Sequence, residues 1–212
     1  MELLAVEAYF SGLEGALPDS LKRVKDYALE HQVPVVSDQV GGFLKLLCGL
    51  TKPKRILELG SGISYSTHWM LLGWPNAQIV SVDANGDRIE LARGFLEASG
   101  ALTQVELHSS WIEPFLETRL GEFDLIFLDS VKKDYATLLS QCYKILLPEG
   151  LLVADNILYQ GKVLSLLPEQ EKKYAAGVGS IKAFNQAVAE HPALDAHFLS
   201  IGDGLLVARK LA

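Results

Sequence analysis

The stretch ILELGSGISYST, residues 56–67, decides how this chain folds. Its first residues are apolar in the manner of a short buried strand, Gly60 and Gly62 follow at once, and a helical pattern opens behind them. A strand that turns through glycines into a helix begins a βα unit, and the glycines let a ligand approach the main chain and the helix N-terminus. The dinucleotide fingerprint needs a third glycine at position 65, where this chain has Tyr65, so the NAD-binding form of the motif fails there. The stretch alone leaves two readings open, a ligand-binding turn with Glu58 on its strand, or a plain tight turn.

Working outward, short apolar runs continue to alternate with helical patterns. QIVSVD, VELHS, FDLIFLD and GLLVADN read as strands; STHWMLLG, GDRIELARGFLEASG, WIEPFLETRL and YATLLSQCYKIL carry apolar residues three and four apart, as crossover helices do. Such alternation predicts a parallel sheet with helices on both faces. Gly100 and the run Pro148, Glu149, Gly150 mark helix ends. At the end of the chain AHFLSI and LLVARK flank a glycine turn at Gly202 and Gly204, which predicts an antiparallel hairpin. The expected architecture is α/β and Rossmann-like, a mostly parallel seven-stranded sheet closed by that hairpin. Residues 1–53 read as a helical cap, with helices near 20–31 and 37–50, and residues 54–212 as the core of the same single domain. Residues 159–179 read as a loop shaping the pocket. No internal repeat or linker interrupts the chain.

Composition narrows the partners. With 212 residues, 49% of them hydrophobic, and no apolar run long enough to span a bilayer, the chain fits one soluble domain. The N-terminal run has no Lys or Arg before its apolar residues, so it lacks the basic start of a secretory signal, and a cytoplasmic protein is expected. Cys48 and Cys142, the only cysteines, sit in apolar helical context and read as buried free thiols. A net charge of −7 disfavours tight contact with a phosphate backbone and favours a small-molecule partner over nucleic acid.

Chemistry-bearing residues gather at strand ends. Asp83 ends the second strand, where a carboxylate can accept from both ribose hydroxyls of a nucleotide cofactor or can cap the next helix. After the third strand come Ser109, Ser110 and Trp111, and Trp111 is either a wall for an adenine ring or part of the core. FDLIFLD and LLVADN end on Asp129 and on Asp155 with Asn156. In a doubly wound sheet the fourth and fifth strands are neighbours, about 4.8 Å apart, with ligands beyond their carboxyl ends. Two carboxylates that close repel unless a cation or a proton intervenes. Two carboxylates and an amide suit a hard cation such as Mg²⁺, Mn²⁺ or Ca²⁺, although each of the three would also serve as an ordinary cap or turn former. The five histidines show no zinc spacing, and GISYS is not a hydrolase elbow because Ser66 stands where its last glycine belongs.

Taken together, FLDSVKKDY, VADNILYQGKV and IGDGLLVARK resemble the metal strands, following loop and closing hairpin of the cation-dependent O-methyltransferases, the family of the catechol and caffeoyl-coenzyme A enzymes and small bacterial relatives. The turn at residues 56–67 resembles motif I of S-adenosylmethionine-dependent methyltransferases. The resemblance spans residues 33–210 and implies metal ligation by Asp129, Asp155 and Asn156, with Lys132 as the catalytic lysine. It implies S-adenosylmethionine contacts at Glu58, Gly60, Ser61, Ser66, Asp83 and Trp111, with Asp129 near the methionine end. The implied acceptor is a small aromatic molecule with adjacent hydroxyls. Lys132 as the base needs its pKa brought down from a reference of about 10.4, or else it is a solvated loop lysine beside Lys133. Three positions depart from the family: Ser64 replaces a glycine, Val131 replaces an aspartate, and Ser110 replaces an acidic residue. The resemblance also implies a homodimer, in which Leu3, Leu4, Val6 and Phe10 would find cover. Small relatives that methylate hydroxyuridine in tRNA supply a second reading, and a nucleotide-dependent oxidoreductase or a binding module on the same sheet a third.

Overall fold

The computed structural model describes residues 9–10, 12–13, 15–118 and 122–212. Leu3, Leu4 and Val6 lie outside them. A seven-stranded sheet runs in the order β3-β2-β1-β4-β5-β7-β6. Its members are β1 (Arg55–Leu59), β2 (Gln78–Asp83), β3 (Val105–Ser109), β4 (Phe123–Leu128), β5 (Leu146–Asp155), β6 (Leu194–Leu199) and β7 (Leu205–Lys210). The first five are parallel, and β7 inserts antiparallel between β5 and β6 as the expected closing hairpin.

Side chains alternate across this sheet with period two, and each face meets its own helices. Leu57, Leu59, Ile126 and Leu128 point to one side, against α5 (Ile112–Glu117), α6 (Tyr135–Ile145) and α7 (Pro168–Ala189). Ile56, Leu125 and Phe127 point to the other, against α1 (Asp19–Glu30), α2 (Asp38–Thr51), α3 (Tyr65–Gly73) and α4 (Gly86–Ala98). The N-terminal helices thus form part of a full layer. Small residues let α2 and α3 close on each other: a Cβ on Gly41 would stand 2.2 Å from the Trp69 indole nitrogen, and one on Gly73 would stand 2.1 Å from the Lys45 carbonyl oxygen. Among the described residues no helix is long and apolar enough to cross a membrane.

Two expectations need correction. Residues 159–179 are not one loop, because α7 begins at Pro168. Proline at the first helical position and Glu169 and Glu171 in the first turn are helix-start signals. The buried positions, Gly177, Val178, Ile181, Phe184 and Val188, begin only at the tenth residue of the helix, so its polar opening hid its period. Pro148, Glu149 and Gly150 do not mark the end of a helix either; α6 stops at Ile145 and β5 has already begun at Leu146, with the register to β4 shifting between Phe123 and Leu125.

The sheet order fixes where a ligand can go. From β1 the chain winds outward through β2 and β3, then returns to place β4 on the other side of β1. Loops leaving the carboxyl ends of β1 and β4 therefore diverge and open a crevice.

Candidate active site

That crevice is a cavity of about 950 Å³. One end is the glycine turn. The main-chain N–H groups of Gly60 and Ser61 donate to the Val82 carbonyl at 2.8 and 3.2 Å, binding the turn to the end of β2. Gly60 has φ +106°, and a Cβ there would stand 1.8 Å from the Asp129 carbonyl oxygen, so only glycine lets β1 turn this close to the end of β4. Ser64 takes a left-handed φ of +72°, which a glycine would adopt freely, and donates its N–H to the Ser61 carbonyl at 2.9 Å. The turn closes with serine at this position.

Asp83 aims into this turn. Its Oδ2 accepts the Gly62 N–H at 3.0 Å and its Oδ1 the Asn85 N–H at 2.8 Å. Asn85, whose side chain accepts from the Arg88 N–H, is the cap of α4, so the capping role open to Asp83 belongs to another residue. Glu58 is fully buried and lies behind the cavity wall rather than on it. Hydroxyls of Ser66, Thr67 and Ser81 donate to its carboxylate at 2.5, 2.6 and 2.5 Å. Burial raises its pKa to about 7 against the pull of those hydroxyls, with Asp129 adding to the rise. Ser66, by contrast, reaches the cavity. Trp111 is 71% exposed on the cavity rim, which excludes a core role.

The other end gathers the strand-terminal polar groups. Lys132, in the short turn Lys132–Asp134 ahead of α6, is only 14% exposed along its side chain. Its Nζ donates to Asp129 Oδ1 at 2.9 Å and to the Tyr135 hydroxyl at 3.1 Å, so it is not a solvated loop lysine. Asp155 is nearly fully buried, and its Oδ1 accepts the N–H of Asn156 at 2.7 Å. Burial first, then the neighbouring Asp129 charge, raises the Asp155 pKa to about 7. Asn156 holds a left-handed φ of +56°, as do Tyr159 and Gln160 after it.

Of the residues expected here, Gly60, Ser61, Ser66, Asp83, Trp111, Asp129, Lys132, Asp155 and Asn156 all line the one cavity; Glu58 alone does not. Sequence reading missed three contributors. Asp203 reads as a turn residue in GDG, yet both its oxygens accept the Gln160 N–H, at 2.7 and 2.6 Å, and fasten the loop that carries Asn156. Tyr135 reads as the start of an amphipathic helix and Tyr159 as loop. The nearby GDG and NILYQG runs hold the signal for the clamp, but only their spatial juxtaposition reveals it.

The hydroxyls of Ser61 and Ser130, both on the cavity wall, are buried without a hydrogen-bond partner among the described residues, as expected of groups that await a ligand. Among the described residues no group of three or more His, Cys, Asp or Glu side chains is disposed around a metal. The expected set is different in kind: two carboxylates and an amide give an all-oxygen donor set for a hard cation. A buried Asp155 carboxylate beside Asp129, with no ion pair of its own among the described residues, is the environment a divalent cation would relieve. The residues present fit such an ion.

Comparison with known proteins agrees with the geometry. A family described as O-methyltransferase matches residues 14–211. The catechol O-methyltransferase of Niastella koreensis is 30% identical, covering 93% of this chain and 90% of its own length. The O-methyltransferase TomG of Streptomyces achromogenes, involved in tomaymycin synthesis and solved in complex with SAM, superposes with a TM-score of 0.85 at 26% identity, over 98% of this chain and 96% of its own. The SAH-bound methyltransferase PaMTH1 of Podospora anserina superposes with a TM-score of 0.87 at 25% identity, over 98% and 94%. With the family matched from residue 14 to residue 211 and a catechol O-methyltransferase 30% identical over 93% of its length, this chain belongs to the O-methyltransferase family.

Proposed function

We propose that the chain moves the methyl group of S-adenosylmethionine to one of two adjacent hydroxyls on a small, catechol-like aromatic acceptor, with a divalent cation, Mg²⁺ first among candidates, held by Asp129, Asp155 and Asn156. The observation that carries this reading is contiguity. The glycine turn abuts the Asp129 main chain, while the Asp129 side chain reaches Lys132, so a donor end and an acceptor end share one cavity wall. The catechol enzyme among the relatives supports the acceptor class, and the SAM complex of TomG supports the donor.

S-adenosylmethionine supplies a methyl group on an electrophilic sulfonium, and a divalent cation supplies a Lewis acid that lowers the pKa of a hydroxyl. Asp83 accepts the ribose hydroxyls, Gly60, Ser61 and Ser66 line the donor's path, and Trp111 walls the adenine. Glu58 acts from behind by fixing the Ser66 hydroxyl. Lys132, in its neutral amine form, would take the acceptor's proton at Nζ. Enclosure holds the two reactants in line, which is where most of the rate gain of a displacement originates. Exposed Leu46 and Leu50 on α2, with Phe10 and Leu13, offer apolar surface for a homodimer, and sedimentation at micromolar concentration giving a monomer would remove that part of the reading.

Methyl-tritiated S-adenosylmethionine tests the whole. Label is expected in 3,4-dihydroxybenzoate and not in bulk tRNA, with chelator abolishing transfer and Mg²⁺ or Mn²⁺ restoring it. Asp155→Ala is expected to act like permanent chelation while calorimetry still detects donor binding, because Asp155 lies away from the glycine turn. Label in tRNA alone, or full activity of folded Asp155→Ala in excess chelator, overturns the proposal.

A further inference from the structure

Tyr135 is wholly buried where β4 and β5 end, at the first position of α6. The last paired residues of the two strands are Leu128 and Ala154, and the phenol oxygen spans the gap just beyond them. It lies 2.9 Å from the Asp155 carbonyl oxygen, 3.2 Å from the Leu128 carbonyl oxygen and 3.1 Å from Lys132 Nζ. One O–H donates to one carbonyl at a time, so a lone pair of the same oxygen is left to accept from the lysine. Burial, above all, drives the phenol pKa well above its ordinary value. The ring is anchored separately, edge-on against Phe184 with centroids 5.3 Å apart.

Lys132 has a flexible four-carbon stem and nothing in its own turn to hold its tip. Two hydrogen bonds fix its Nζ, to Asp129 Oδ1 on one side and the Tyr135 hydroxyl on the other, while the Tyr135 ring, its centroid 5.0 Å from Nζ, adds a weaker contact that phenylalanine would keep. Were Asp129 alone the hydrogen-bond partner, Nζ would be freer to swing about that carboxylate. The phenol removes this freedom and refers the position of Nζ to the ends of both strands that carry the carboxylates.

We infer that Tyr135 is a positioning residue for Lys132, its hydroxyl setting where Nζ stands relative to Asp129 and Asp155. This rests on Lys132 acting as the base, and the experiment separates the two. Tyr135→Phe, Lys132→Met and the double variant are assayed with S-adenosylmethionine, Mg²⁺ and 3,4-dihydroxybenzoate, and the structure of Tyr135→Phe is solved. Tyr135→Phe is expected to lower kcat roughly tenfold or more, the scale of a misplaced reacting group, with KM for both substrates unchanged. It should add nothing once Lys132 is methionine, because the two then act as one unit. In the crystal Nζ should leave its place beside Asp129. An equal loss in both backgrounds, wild-type kcat in Tyr135→Phe beside an inactive Lys132→Met, or an unmoved Nζ overturns the inference. Full activity in Lys132→Met would instead refute the base, and the position of Nζ in the crystal would still decide the role of Tyr135. Should the phenylalanine variant not fold, 4-fluorophenylalanine at position 135 fills the hydroxyl's space without donating a proton and is read in the same way.

Discussion

Asp83 divides its carboxylate between two main-chain N–H groups, one in the glycine turn and one at the start of α4, and so holds the turn open while facing the cavity. Asp83→Ala is expected to weaken S-adenosylmethionine binding by about 1–3 kcal/mol, the range for leaving hydrogen-bonding groups without their acceptor. Calorimetry with a folded variant checks it, and unchanged affinity would end the ribose assignment. Gly60→Ala acts more severely: its Cβ has no room against the Asp129 carbonyl, and φ +106° is closed to alanine. A loss of about 2 kcal/mol or more in urea unfolding is expected. At this scale the sequence was legible wherever chemistry follows from residue type at a strand end. It could not tell a lining side chain from one behind the wall. Glu58 and Ser66 touch each other, yet only Ser66 reaches the cavity, a distinction that depends on which way each side chain turns from its strand or helix.

Residues 156–162, between β5 and α7, show what the elements add. Asn156, Tyr159 and Gln160 all hold left-handed backbone, a conformation that costs a non-glycine residue roughly 1–2 kcal/mol. The cost is offset from the β6–β7 turn: Ile157 and Leu158 donate their N–H groups to the Gly204 and Asp203 carbonyls, and the Asp203 carboxylate grips Gln160. Alternation of apolar runs with helical patterns revealed the strands, the central β1, β2 and β4 being buried on both faces, but this clamp joins segments more than forty residues apart and leaves no periodic trace. Asp203→Ala is expected to speed hydrogen exchange at the amides of Gln160 and Gly161 without changing that of β4 and β5. Unchanged exchange in the loop would mean that the main-chain bonds alone suffice. The same blindness to packing hid α7, whose opening residues, before Gly177, lie against solvent.

On the scale of the whole molecule, the sheet order that opens the crevice also buries two carboxylates, and their cost should appear in the stability of the ligand-free protein. Glu58 rises from an ordinary value of 4.5 to about 7, and Asp155 from 3.8 to about 7, both chiefly through burial. The folded state therefore holds each proton more tightly than the unfolded chain does, and between about pH 4.5 and 7 unfolding releases it. Stabilisation from a shift of this sign is fully present below the unfolded pKa and is lost as pH rises through the folded one, each unit in that window removing roughly 1.4 kcal/mol per group. His68 opposes the trend: burial lowers its pKa, so it contributes stability above its ordinary 6.5 that disappears as pH falls. The raw profile mixes these slopes, and the informative quantity is a difference. Glu58→Gln, which keeps the shape and lets the hydroxyls of Ser66, Thr67 and Ser81 reorient, is expected to gain on wild type from pH 5 to pH 8 in urea unfolding. Asp155→Asn should do the same, and Mg²⁺ at pH 8 should stabilise wild type but not Asp155→Asn, since a ligand that binds the folded state alone adds its binding free energy to the fold. A difference between wild type and Glu58→Gln that stays constant with pH would mean that Glu58 is ionised in both states, its three hydroxyl donors outweighing its burial.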